Sequence, residues 1–115
     1  GKGGLVAHLG TNDLREVVRR MDSGDERARL LFEAMAYRIA KEIGACAATL
    51  GGEVDAIVLT GGLAYNERFT GLIRERVEFV SEVKVYPGED EMLALAEGAY
   101  RVLAGSEQAR RYTRK

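Results

Sequence analysis

From Asp25 onward, apolar residues fall at Leu30, Leu31, Ala34, Met35, Ile39, Ile43 and Ala47, while Arg27, Arg29, Glu33, Arg38, Lys41 and Glu42 lie largely elsewhere around the cylinder. That spacing predicts the longest helix of the chain, reaching about Leu50 with its apolar stripe against a core. Gly51 and Gly52 end it, because glycine accepts the left-handed backbone that closes a helix. The period then changes. "DAIVLT", residues 55 to 60, is a continuous apolar run of the kind buried on both faces of a parallel sheet. A helix over roughly Asn66 to Val77 follows, and "VKVYP" is a second, shorter strand stopped by Pro87, the sole proline.

The two ends of the chain are patterned less strongly. "GKGGLVAHLG" is glycine-rich around the apolar patch Leu5 to Ala7 and predicts a strand or extended stretch. In "TNDLREVVRRM" either Thr11 or Asn12 can cap a short helix to about Met21, with Asp13 and Glu16 placed where the helix dipole favours acids. Near the other end, Met92, Leu93, Leu95, Ala96, Ala99, Tyr100 and Leu103 predict a final amphipathic helix to about Gly105. Residues 106 to 115 read as a flexible or helical tail. Strand, helix, strand, helix in this order predicts an α/β unit with parallel strands joined by a crossover. So small a sheet needs more strands, from a docking partner or from the remainder of a longer α/β protein.

Composition narrows the possible partners. Seventeen Lys and Arg against eighteen Asp and Glu leave a net charge of -1, without the basic stripe that neutralises a phosphate backbone, so no nucleic acid is expected. The group Arg110, Arg111, Arg114 and Lys115 reads as a solvated tail. No apolar run approaches the roughly 20 residues that cross a bilayer, so no membrane is expected and a cytoplasmic location follows. Cys46, the one cysteine, lies among small residues and reads as a buried structural thiol.

Candidate chemistry gathers where strands end. In open α/β sheets ligands settle beyond the carboxyl ends of parallel strands, and both Gly61-Gly62 and Gly88-Glu89-Asp90 stand at such ends. A glycine pair there lets backbone approach a ligand with no Cβ in the way, and the next helix offers free amides. It serves equally as a turn that needs positive φ. "GKGG" is not a phosphate loop, since no strand and glycine precede it at the right spacing and no Ser or Thr follows Lys2. The stretch around Gly61 also lacks the third glycine of a dinucleotide fingerprint. The acids Glu89, Asp90 and Glu91 either complement a helix dipole or hold a hydrated Mg²⁺. Asp13 and Arg15 are a first-turn acid and surface cation, or a pair facing a ligand. His8 is a packing residue or a general base. Tyr37, Tyr65, Tyr86 and Tyr100 are core or rim residues, with Tyr65 directly behind the glycine loop.

Taken together, "GKGGLVAHLGTNDLREV", "FEAMAYRIAKEIG", "DAIVLTGGLAYNE" and "VYPGEDEMLALAEGAYRVL" resemble the C-terminal part of the acetate and butyrate kinase family, on its butyrate kinase side, from Gly1 to about Leu103. The resemblance implies part of an actin-like ATPase (ribonuclease H-like) lobe, with parallel strands flanked by helices. It implies that Gly61, Gly62, Leu63, Ala64 and Asn66 pass beneath an adenosine, and that Asp13, Leu14 and Arg15 form the opposite side of an ATP or ADP pocket. Glu91, with Glu89 as the alternative, would take the role of a Mg²⁺-associated glutamate. The implied reaction is phosphoryl transfer between ATP and a short-chain carboxylate such as butyrate, giving an acyl phosphate, in a homo-oligomer. No catalytic residue is expected here, because the phosphate loops, the acyl pocket and the catalytic cations would lie upstream. The 115 residues alone would then be inactive. Where acetate kinase would read GIGEN this chain has Gly62-Leu63-Ala64-Tyr65-Asn66, which points toward butyrate and leaves Tyr65 without an assigned contact. Another acid or sugar kinase of the superfamily, or a non-catalytic interaction module using an exposed sheet edge, are the alternatives.

Overall fold

A computed structural model describes residues 3–10, 12–87 and 100–103. Strand β1 is Gly4–His8, helix α1 Asn12–Asp22 and helix α2 Glu26–Thr49. Strand β2, Ile57–Thr60, runs into a 3₁₀ turn at Gly62–Tyr65, helix α3 at Glu67–Val77 and strand β3 at Val83–Tyr86, and a last strand β4 spans Tyr100–Val102. The sheet has the order β3-β2-β1-β4 and every pairing is parallel.

The apolar run 55 to 60 becomes a central strand, as its composition predicts. Ile57, Val58, Leu59 and Thr60 are all buried, so both faces of β2 are covered. On one face Leu5, Ala7 and Leu9 of the first strand and its exit join Ile57 and Leu59 against Phe32, Ala36, Ala40 and Ile43 of α2 and Phe69, Ile73 and Val77 of α3. Phe32 and Phe69 meet edge to face, with ring centroids 5.1 Å apart and planes at 61°.

Both ends of α2 are set by local chemistry. Asp25 caps α2, its carboxylate accepting from the backbone N–H of Arg27 at 3.0 Å and Ala28 at 3.2 Å. At the other end Gly51, at φ 67°, turns left-handed; its N–H donates to the Ala48 carbonyl at 3.0 Å, and that of Gly52 to Ala47 at 2.8 Å, the paired bonds of a Schellman closure.

Two expectations change. The face of α2 that meets the core is Ala28, Phe32, Ala36, Ala40, Ile43 and Ala47, whereas Leu30 and Leu31 are 56% and 48% exposed and Ala34 is exposed as well. This helix carries apolar residues on more than one face, and its small side chains, not its leucines, allow close approach to the sheet and to α3. The final helix also does not extend through Leu103. Tyr100, Arg101 and Val102 pair in parallel with Gly4, Leu5 and Val6, and the Leu103 N–H donates to the Val6 carbonyl at 2.9 Å. With β2 on one side, β1 would otherwise leave a row of backbone groups unpaired on the other, and an aromatic and a β-branched residue suit that edge. The remainder of that expected helix, the tail, and Gly88, Glu89, Asp90 and Glu91 lie outside the described residues.

Candidate nucleotide site

The carboxyl ends of three strands are level. His8 is in register with Thr60, and Thr60 with Tyr86, so the loops leaving β1, β2 and β3 emerge side by side. The ends of β1 and β2 are locked together by the backbone. The Leu9 N–H donates to the Thr60 carbonyl at 2.7 Å, and Gly61 lies so close to Leu9 that a Cβ there would stand 2.5 Å from the Leu9 carbonyl oxygen. Gly61 has φ 95° and ψ 176°, a region essentially closed to other residues. Gly61 therefore supplies the positive-φ turn that the sequence allowed, and the backbone it approaches so closely is that of Leu9.

This joint aims two elements at one another. The chain leaving β1 enters α1, and the chain leaving β2 enters the 3₁₀ turn and then α3. Between them is a cavity of about 130 Å³ lined by Arg15 and Val18 from α1, Gly62 and Leu63 from the turn, and Asn66 at the start of α3.

Each lining group has a definite state. The Asn66 side-chain carbonyl accepts from the Phe69 backbone N–H at 3.0 Å, capping α3, which leaves its amide N–H₂ as the unused end. Arg15 is exposed and makes no ion pair among the described residues. Its neighbour Glu16 is engaged elsewhere, by Arg19 at 2.5 Å and Arg20 at 3.1 Å. The hydrogen bond from Arg19, with a smaller one from Arg20, holds the Glu16 carboxyl below its ordinary pKa. The polar groups at the cavity are thus donors with spare capacity, set beside two apolar side chains.

Of the residues expected at the site, Arg15, Gly62, Leu63 and Asn66 come together here. Leu63 is itself 7% exposed and mostly part of the core cluster, and Leu14 and Ala64, 4% exposed in the same cluster, do not line the cavity. Gly61 shapes the joint. Tyr65 points out, 74% exposed. Asp13 belongs to α1, with nothing described of its side chain, and Glu89 and Glu91 lie outside the described residues. Val18 was not anticipated. The signal that would have found it is helical spacing, since a residue three after Arg15 shares its face. Among the described residues no group of three or more His, Cys, Asp or Glu could hold a metal ion, and no helix is long and apolar enough to cross a membrane.

An acetokinase family profile matches residues 1–107. The chain belongs to the acetokinase family. Its fold accordingly is that of an actin-like ATPase lobe, with the parallel sheet and flanking helices seen here. Among curated acetokinase relatives, it is 58% identical over 112 residues to a protein named "Probable butyrate kinase 2" from Caldanaerobacter subterraneus, a stretch covering 97% of this chain and 32% of that protein. It is 52% identical over 112 residues to each of "Butyrate kinase 2" and "Butyrate kinase 1" from Clostridium acetobutylicum, with the same coverage of 97% and 32%. The chain thus spans about a third of the length of the curated relatives it matches.

Proposed function

We propose that this chain is the nucleotide-side part of a butyrate kinase, holding the adenosine end of ATP or ADP while a short-chain carboxylate and the transferred phosphoryl group are handled elsewhere in the complete protein. The observation that carries this reading is the cavity between α1 and the Gly62–Tyr65 turn, at the level carboxyl ends of three parallel strands. It is a half-open cleft of about 130 Å³, so it can seat only part of a ligand that continues along the strand ends. The three relatives all bear the name butyrate kinase, which favours that acid over acetate or a sugar as acceptor.

In the reaction a carboxylate oxygen of butyrate bonds to the γ-phosphorus of ATP as the bond to the β,γ-bridging oxygen breaks, leaving butanoyl phosphate and ADP. Mg²⁺ would neutralise charge on the phosphates, with Glu91 or Glu89 as the family-implied partner. What this chain's described residues contribute is fixation of the leaving nucleotide. The Arg15 guanidinium and Asn66 amide offer hydrogen bonds, Gly62 permits backbone contact, and Val18 and Leu63 exclude water. Positioning of that kind is a large part of phosphoryl-transfer catalysis. The complete protein is further proposed to be a homo-oligomer, as the family resemblance implies.

The complete protein carrying this chain should form butyryl hydroxamate from butyrate, ATP, Mg²⁺ and hydroxylamine. Absence of both activity and nucleotide binding would overturn the assignment.

A further inference from the structure

Leu14, Arg15 and Val18 divide the labour of one helical turn. Leu14 is 4% exposed and turned into the core, Arg15 is exposed at the cavity rim, and Val18 is half-buried, packed against the core while also lining the cavity. Val18 is therefore the apolar side chain that α1 gives to the cavity, and Leu63 is the one given by the turn. The two other side chains present, Arg15 and Asn66, supply chiefly donors, because one lone pair of the Asn66 carbonyl oxygen is taken by the Phe69 N–H while its amide N–H₂ is unused.

We propose that Val18 is a specificity-determining residue, forming with Leu63 an apolar wall against which the flat face of the nucleotide base lies; this rests on the nucleotide reading above. A base has an apolar face that gains by leaving water, and hydrogen-bond acceptors on its edge that the Arg15 and Asn66 donors can meet. A phosphate has no apolar face, and gains nothing from valine and leucine. The wall therefore sorts the two ends of the ligand: base inward against α1, phosphates outward along the strand ends. The resemblance assigns no role to Val18, so its place at the wall follows from the cavity itself.

The experiment measures binding of ADP and of inorganic tripolyphosphate, a probe with phosphates and no base, to the complete protein by titration calorimetry. The variants are Val18→Thr, which keeps shape and adds a hydroxyl, and Val18→Ile, which keeps the apolar surface and narrows the cavity. Both are expected to weaken ADP roughly tenfold, the low end of what a methylene-sized change in an apolar pocket does, and to leave tripolyphosphate within about twofold of wild type. Because Val18 also touches the core, ligand-free melting curves accompany the titrations, and Val18→Ile is expected to melt with wild type. Unchanged ADP affinity in both variants, or equal weakening of ADP and tripolyphosphate, would overturn the proposal while leaving the nucleotide reading intact. Wild-type protein that binds neither ligand would overturn that reading as well.

Discussion

Replacing Gly61 with alanine tests the joint on which the site is built. At φ 95° and ψ 176° an alanine sits in a region nearly exclusive to glycine, at a cost of about 1–3 kcal/mol. Its Cβ would also meet the Leu9 carbonyl oxygen at 2.5 Å and the Leu9 nitrogen at 3.0 Å. Those are backbone atoms and cannot rotate aside, so the ends of β1 and β2 must part. That motion strains or breaks the 2.7 Å bond from the Leu9 N–H to the Thr60 carbonyl, and a buried pair left unsatisfied adds a further ~1–3 kcal/mol. The expected loss is about 2–6 kcal/mol, together with weaker ADP binding because α1 and the turn lose their spacing. Gly44→Ala is the control. Gly44 lies inside α2 without positive φ, and nothing stands within 4 Å of a Cβ placed there, so alanine should stabilise by ~0.5–1 kcal/mol. Urea denaturation of the complete protein, followed by circular dichroism, reads both. A Gly61→Ala protein within about 0.5 kcal/mol of wild type would refute the reasoning, since surface substitutions away from such features fall in that range.

Asp25→Ala and Asn66→Ala each remove a helix N-cap and should each cost about 1 kcal/mol in urea, but only the Asn66 variant should raise the dissociation constant for ADP, because only its amide borders the cavity. Phe69 is fully buried and edge-on to Phe32, so Phe69→Ala should lose about 3–5 kcal/mol by the same measurement. Cys46 is half-buried and not the fully buried thiol its small neighbours suggest, and that partial burial raises the thiol pKa, with Arg101 opposing and Glu42 adding to the shift. The thiolate fraction near pH 8 is correspondingly small, so iodoacetamide should alkylate Cys46 more slowly in the folded protein than in urea, and equal rates would count against the packing of α2 described here.

Much of the fold could be read from residue order, and where it could not the reason is specific. The glycine stop at 51 and 52 and the doubly buried run at 57 to 60 act over a few residues, so sequence specifies them directly, whereas the caps at Asp25 and Asn66 emerge only in the structure. The apolar face of α2 was misassigned because Leu30 and Leu31 outweigh Ala36 and Ala40 on any hydrophobic scale, while the neighbouring strands and α3 select for small size. Tyr100 to Val102 carried helical spacing, yet the open edge of β1 lies some 95 residues earlier in the chain and periodicity holds no information about it.

The candidate site divides along the same line. Sequence determined that a glycine pair follows a buried strand and that Arg15 and Asn66 stand in helical first turns, and the family resemblance joined them to one ligand. Only the tertiary structure decided which side chains line the cavity. It turned Leu14 and Ala64 into the core, brought Val18 to the wall, and reserved the Asn66 carbonyl for α3. Those choices depend on how α1 is rotated against the turn. That rotation is set by packing on α2 and by the Leu9–Gly61 contact between two strand ends, neither of which is a property of any local stretch of sequence.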